Sequence, residues 1–218
     1  MRDDVNPYVN KIKEESEYII PCNFNKIEES EKLILDTKIA KFEGVIVEIC
    51  SGSGKHLIEI AKKYPQFLIV GFELRFKRIY MTAKKAKKEE LNNVILIRND
   101  ARNLKCWFKN NSISKLFINF PDPWDKDRWE KHRVLSNDFF NDLSLILVKN
   151  GEFLYKTDHK ERFLDTKEFL DSNKLYKISE FTEDLYNSPY LENNVKTEFE
   201  SLFLSQGLKI NYLKAIRL

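Results

Sequence analysis

Asn119-Phe120-Pro121-Asp122-Pro123-Trp124 runs directly into Asp125-Lys126-Asp127-Arg128-Trp129-Glu130-Lys131-His132-Arg133. An apolar run, Leu116 to Phe120, delivers a carboxylate locked between two prolines. Each proline fixes its own φ and pushes the residue before it toward extended geometry. Asp122 is therefore expected in a stiff loop at the end of a strand, with an aromatic ring and then cations beyond it. That arrangement suits holding a flat base beside a reactive group. A plain turn explains one Pro-Asp-Pro, but not the ring and the basic tail together.

A second constellation is Glu48-Ile49-Cys50-Ser51-Gly52-Ser53-Gly54. Gly52 and Gly54 let the backbone turn tightly and approach a ligand. A dinucleotide fingerprint needs a third glycine where Leu57 stands, and Glu48 would repel a pyrophosphate. A cationic ligand with an amino group suits Glu48 better. Further along, Glu73 can accept both hydroxyls of an adenosine ribose, and Asp100-Ala101 offers an acceptor to the adenine amine. Together they describe an adenosine with a positively charged tail, and S-adenosylmethionine fits. The plainer reading of Glu73 is a helix-start carboxylate interacting with the helix dipole.

The elements that must carry these residues alternate. Strands are expected at 45–50, 67–72, 94–97, 115–120, 152–157, 175–181 and 208–216. Helices are expected at about 30–42 with Ser30 as cap, 55–64, 75–91, about 14 residues after Ser136 up to Gly151, and then through Ser172 and from Thr197. This predicts an α/β fold with a mostly parallel sheet covered by helices on both faces. Ligands in such sheets bind at the carboxyl ends of the strands, where Glu48, Glu73, Asp100, Asp122 and Asp158 fall. Residues 1–29 read as an irregular arm and residues 30–218 as a single domain.

The chain has 218 residues, 42% hydrophobic and 33% charged, with a net charge of +3 too small to name a partner. Three scattered cysteines read as reduced thiols. No apolar run approaches a membrane span and no signal peptide is visible, so the cytoplasm is expected. His56 and His159 lack metal-ligand spacing; each is expected to make a local hydrogen bond, and no metal is expected. Asp158 reads as a helix cap. Thr197-Glu198-Phe199-Glu200 has the form of an N-cap with glutamate at the third helical position.

These segments, in this order, resemble the bacterial tRNA (guanine-N7-)-methyltransferases: Val47-Glu48-Ile49 with Gly52 and Gly54, Gly71-Phe72-Glu73, Asp100-Ala101, Asn119 to Trp124, Lys156-Thr157-Asp158 and Thr197 to Glu200. The resemblance implies a seven-stranded Rossmann-like methyltransferase fold and methyl transfer from S-adenosylmethionine to N7 of a guanine in the tRNA variable loop. It implies that Glu48, Glu73, Asp100 and Asp122 hold the donor, with Asp122 also catalytic. Lys126, Asp158 and Thr197 through Glu200 would contact the substrate guanosine. Arg128, Lys131, His132 and Arg133 would contact RNA. No obligate protein partner and no membrane are implied. Cys50 stands where the family usually has glycine, so the loop's first turn is expected to be displaced, and acidic residues dilute the basic tail.

Guanine N7 carries a lone pair and no proton, so Asp122 is read as orienting the base and offsetting charge, not as a proton acceptor. Trp124 either stacks on a base or tucks into the core. The lysine-rich helix with Lys84, Lys85, Lys87 and Lys88 reads as a solvated face ahead of an RNA site. The competing functions are a methyltransferase acting on an exocyclic base nitrogen and an RNA-binding relative without catalysis. A nicotinamide dehydrogenase is disfavoured by Leu57.

Overall fold

The computed structural model describes residues 6–20, 22, 27–124, 128 and 132–218. Chain contacts divide it into two compact units, Met1–Trp107 and Phe108–Leu218.

In the first unit, four strands pair in parallel in the order β1-β4-β3-β2: β1 Ile19–Ile20, β2 Gly44–Ile49, β3 Phe67–Phe72 and β4 Val94–Ile97. The last three are near-continuous apolar runs with almost no exposure, as strands covered on both faces must be. Ile49 pairs with Phe72 and Phe72 with Ile97, so three strands end level and their loops leave from one edge. The helices are α1 Tyr8–Glu14, α2 Glu29–Ile39, α3 Lys55–Lys63, α4 Phe76–Lys88 and α5 Leu104–Trp107. The cap of α2 is Glu28, in a capping box with Glu31, and not Ser30.

In the second unit the order is β5-β6-β8-β7, with β5 Ile113–Asn119, β6 Leu147–Thr157, β7 Tyr176–Thr182 and β8 Asn211–Arg217. β5 and β6 are parallel, whereas β8 runs antiparallel to both β6 and β7. α6 Asn137–Ile146 and α7 Lys160–Ser172 pack through aromatics: Phe140 stacks on Phe169 at 4.9 Å and Phe163 on Phe181 at 5.1 Å. The eighth helix is α8, Glu198–Ser205.

All seven expected strands are present in this α/β architecture, and β1 is an eighth. The arm expected to be irregular supplies both α1 and β1. Glu15, buried just after α1, holds Lys84 and Lys87 of α4 at 3.5 and 3.4 Å. α6 stops at Ile146, short of Gly151, because the chain enters β6 first; Gly151 lies within that strand, beside Asn150 at φ 62°.

Candidate active site

The loop after β2 turns through three left-handed residues, Cys50 at φ 59°, Gly52 at 57° and Gly54 at 79°. Cys50 thus adopts the geometry that glycine takes without strain, which costs another residue about 1 kcal/mol or more. A side chain at Gly54 would meet Thr82 at 2.3 Å, so glycine is required there twice over. A Cβ on Gly71 would lie 2.4 Å from Leu57, so close helix–strand packing is achieved with the small residue on the strand. That is why Leu57 can replace the third glycine of a dinucleotide loop.

Three carboxylates lie at the ends of β2, β3 and β4 or just beyond them. Glu73 Oε2 accepts from Gly52 N–H and Oε1 from Arg75 N–H, both at 2.9 Å. Burial raises its pKa, against these hydrogen bonds and the charge of Arg78. A carboxylate offers about four acceptor sites, so with the N–H groups of Gly52, Leu74 and Arg75 on it Glu73 retains capacity for a ribose hydroxyl. Glu48 Oε2 lies 3.0 Å from His56 Nδ1, and both side chains are 3% exposed. Asp100 caps the short turn at Ala101–Asn103 and is gripped by Arg102: backbone N–H at 2.9 Å, Nε at 3.0 Å, Nη2 at 2.5 Å. Arg102 is the residue that sequence reading missed, and its pKa is raised by Asp100. Ala101 is buried beside it. The level strand ends, the close-approach glycines and the buried carboxylate of Glu73 fit S-adenosylmethionine.

In the second unit the backbone is strained at both ends of the proline loop. Phe120 has φ 51° and Trp124 φ 48°. Phe120 precedes a proline and was expected to be extended. It turns left-handed instead, its N–H bonded to Lys156 O at 2.8 Å and its ring 5.4 Å from Phe203 and 6.1 Å from Phe199 on α8. Left-handed non-glycine residues persist where surrounding packing over-determines them, and they cluster at functional sites. Between the two strained residues Asp122 is exposed. It lies on the lining of a cavity of about 540 Å³ together with Arg133, Asn137, Tyr155, Thr157 and Arg162.

The end of β6 and the start of α8, with the segment leading into it, form a buried polar hub. Lys156 Nζ pairs with Glu200 Oε1 at 2.6 Å and donates to Asn194 Oδ1 and Val195 O. Glu200 Oε2 accepts from Tyr186 OH and Asn194 Nδ2. Thr197 and Glu200 complete the expected capping box. Asp158 is half-buried but is not the cap of α7; that role belongs to His159, whose Nδ1 accepts from Arg162 N–H.

The family described as putative methyltransferase matches residues 43–213. The tRNA (guanine-N(7)-)-methyltransferase of Pediococcus pentosaceus is 35% identical over 82% of this chain and 84% of its own. The enzyme of that name from Mycoplasmopsis pulmonis is 36% identical, over 87% and 92%. The chain belongs to the tRNA (guanine-N7-)-methyltransferase family. It is also 36% identical, over 98% of its length, to a bifunctional glycosyltransferase/methyltransferase of Fusobacterium nucleatum, of which it spans 33%. Among solved structures, the 16S rRNA methyltransferase KamB superposes with a TM-score of 0.65 at 16% identity, covering 88% of this chain and 94% of that one. A 16S rRNA (adenine-N1)-methyltransferase from Catenulisporales acidiphilia, solved with its cosubstrate SAM, gives 0.59 at 13% identity, over 90% and 96%. These two show the fold of the methyltransferase.

Of the methyltransferase's expected RNA tail, Lys126 and Lys131 lie outside the described residues. Arg128 and His132 are exposed, and Arg133 is half-buried with Nε bonded to Trp124 O at 3.1 Å. Trp124 lies against its own tail, 5.1 Å from the His132 ring. Its ring is half-buried there, not tucked into the core. The lysine helix is no mere solvated face: Lys84 and Lys87 hold Glu15, and Lys85 holds the glycine loop. Among the described residues, no helix is long and apolar enough to cross a membrane.

Proposed function

We infer that this chain transfers the methyl group of S-adenosylmethionine to N7 of a guanine in the variable loop of tRNA. The observation that carries the reading is Asp122, exposed beside a cavity within the size range of ligand sites and held on backbone strained on either side, in a chain of this family. In this reading the carboxylates of the first unit take the donor: Glu73 the ribose, Asp100 and Ala101 the adenine edge, and Glu48 the amino group. When bound, S-adenosylmethionine supplies an electrophilic methyl group.

The acceptor atom dictates what the second unit has to do. N7 carries a lone pair and no proton, so no side chain has to deprotonate it. The Watson–Crick edge of guanine offers N–H donors, and a fixed carboxylate at Asp122 accepts them while leaving N7 clear. Guanine becomes positively charged as the N7–methyl bond forms and the sulfur–methyl bond breaks. A preorganised carboxylate is worth most at that moment. Positioning supplies most of the remaining rate. The Lys156–Glu200 hub fixes Thr197, Glu198 and Phe199 at the head of α8, where they meet the guanosine; resemblance assigns Asp158 and Lys126 to the same guanosine. Arg128, Lys131, His132 and Arg133 bind the tRNA backbone. Action on tRNA assigns the enzyme to the cytoplasm.

The test is a transcript in which the acceptor guanine is replaced by 7-deazaguanine, which lacks the N7 lone pair and keeps every other edge. Methyl acceptance should vanish. Unchanged acceptance moves the reaction to another atom.

A further inference from the structure

Arg78, Thr82 and Lys85 are spaced to lie on one face of α4, and that face meets the glycine loop from outside. Lys85 Nζ donates to Ser53 O at 2.7 Å, a charge-assisted bond to a backbone carbonyl. Thr82 Oγ1 lies 3.3 Å from Gly52 O and 3.1 Å from Arg78 O, so its one proton serves either carbonyl. The Thr82 side chain also fills the space that a Cβ on Gly54 would need, at 2.3 Å. Arg78 Nη1 lies 3.7 Å from where a Cβ of Gly52 would stand, and its charge acts on Glu73.

We propose that this stripe of α4, and Lys85 above all, is the positioning element for the methyl donor. The inference rests on the donor-binding reading above. With Gly52 O turned toward Thr82, the trans peptide aims Ser53 N–H away from α4. That is the direction from which a ligand carboxylate can accept it. Lys85 fixes the next peptide, whose Gly54 N–H donates to Ser51 O at 3.0 Å within the loop, and offsets the negative ends of carbonyls that would otherwise repel that carboxylate. The lysine therefore acts on the donor through the loop and not by touching it, and it is not an RNA contact.

The experiment compares Lys85→Met, Lys85→Arg and Lys77→Met, which removes a charge from the exposed start of the same helix. Calorimetry with S-adenosylmethionine on the protein without RNA should give about tenfold weaker binding for Lys85→Met. Near-wild-type binding is expected for the other two. The KM for tRNA should stay within about twofold. Thr82→Val, which keeps shape and removes the hydroxyl, is the second variant should Lys85→Met melt early, and it should weaken the donor by about threefold. Equal donor affinity in Lys85→Met and wild type, an equal loss in Lys77→Met, or a rise in tRNA KM instead would each overturn the proposal. A wild-type protein that binds no donor would overturn the donor-binding reading itself.

Discussion

Lys156 Nζ lies 2.6 Å from Glu200 Oε1, with the two side chains 5% and 0% exposed. The pair joins the end of β6 to the start of α8, the two segments that resemblance assigns to the guanosine. Burial alone would raise the Glu200 pKa, but the Lys156 charge and the hydrogen bonds from Lys156, Thr197 N–H and Asn194 outweigh it and leave the carboxyl below its usual value.

Removing that charge should be costly, because Lys156 would stay buried without its counter-ion. Glu200→Gln is expected to lose about 3 kcal/mol or more in urea denaturation. The pH dependence follows from the sign. A depressed folded pKa contributes stability that is complete above the ordinary carboxyl value of 4.5 and is lost as pH falls through the folded value. The wild type should therefore weaken in acid below that value, and the Gln variant should lack this part of the acid limb. A Gln variant as stable as wild type would contradict the hub.

Asp122 is argued to act on charge and orientation. Asp122→Asn keeps the shape and removes the charge, so turnover should fall by about a hundredfold or more. Donor affinity by calorimetry should fall much less than turnover, because Glu48, Glu73 and Asp100 remain. Undiminished turnover would sink the assignment.

Cys50 bears backbone strain that its loop does not need. Cys50→Gly should relieve about 1 kcal/mol or more of left-handed strain, partly offset by glycine's greater freedom in the unfolded chain. A rise of about 1–3 °C in melting temperature is expected. A lower melting temperature would mean that the thiol's packing outweighs the strain.

The exposed Arg128 is the simplest test of the RNA face. Arg128→Ala should weaken tRNA binding at low salt and reduce the slope of log K against log salt by about one unit. An unchanged slope would remove Arg128 from the footprint.

Much of the fold was legible because β3 and β4 are unbroken apolar runs, β2 is broken only by Glu48 and β5 carries the apolar stretch Leu116 to Ile118. β1 was not, since two isoleucines in a polar arm carry no period and acquire meaning only by pairing with β4. Thr197 and Glu200 announced their capping box because that interaction is local. Asp158 misled for the same reason: it offers a good cap, but the chain begins α7 one residue later and His159 takes the role. Phe120 shows the limit of a local rule, because the proline's demand for extension is overridden by contacts with Phe199 and Phe203, far along the chain. Glu48 could be picked out as a costly buried charge, whereas its partner His56 emerges from the turn of α3. The grip of Arg102 on Asp100 was within reach, since a cation two residues after a capping aspartate can fold back onto it.

The most direct test of the central claim is to map the product. The purified protein is incubated with methyl-labelled S-adenosylmethionine and an unmodified tRNA transcript, and the RNA is then reduced with borohydride and cleaved with aniline, which breaks the chain at 7-methylguanosine. Label incorporation with cleavage at one variable-loop guanine is the predicted result. Label incorporated without any cleavage would contradict N7 as the acceptor.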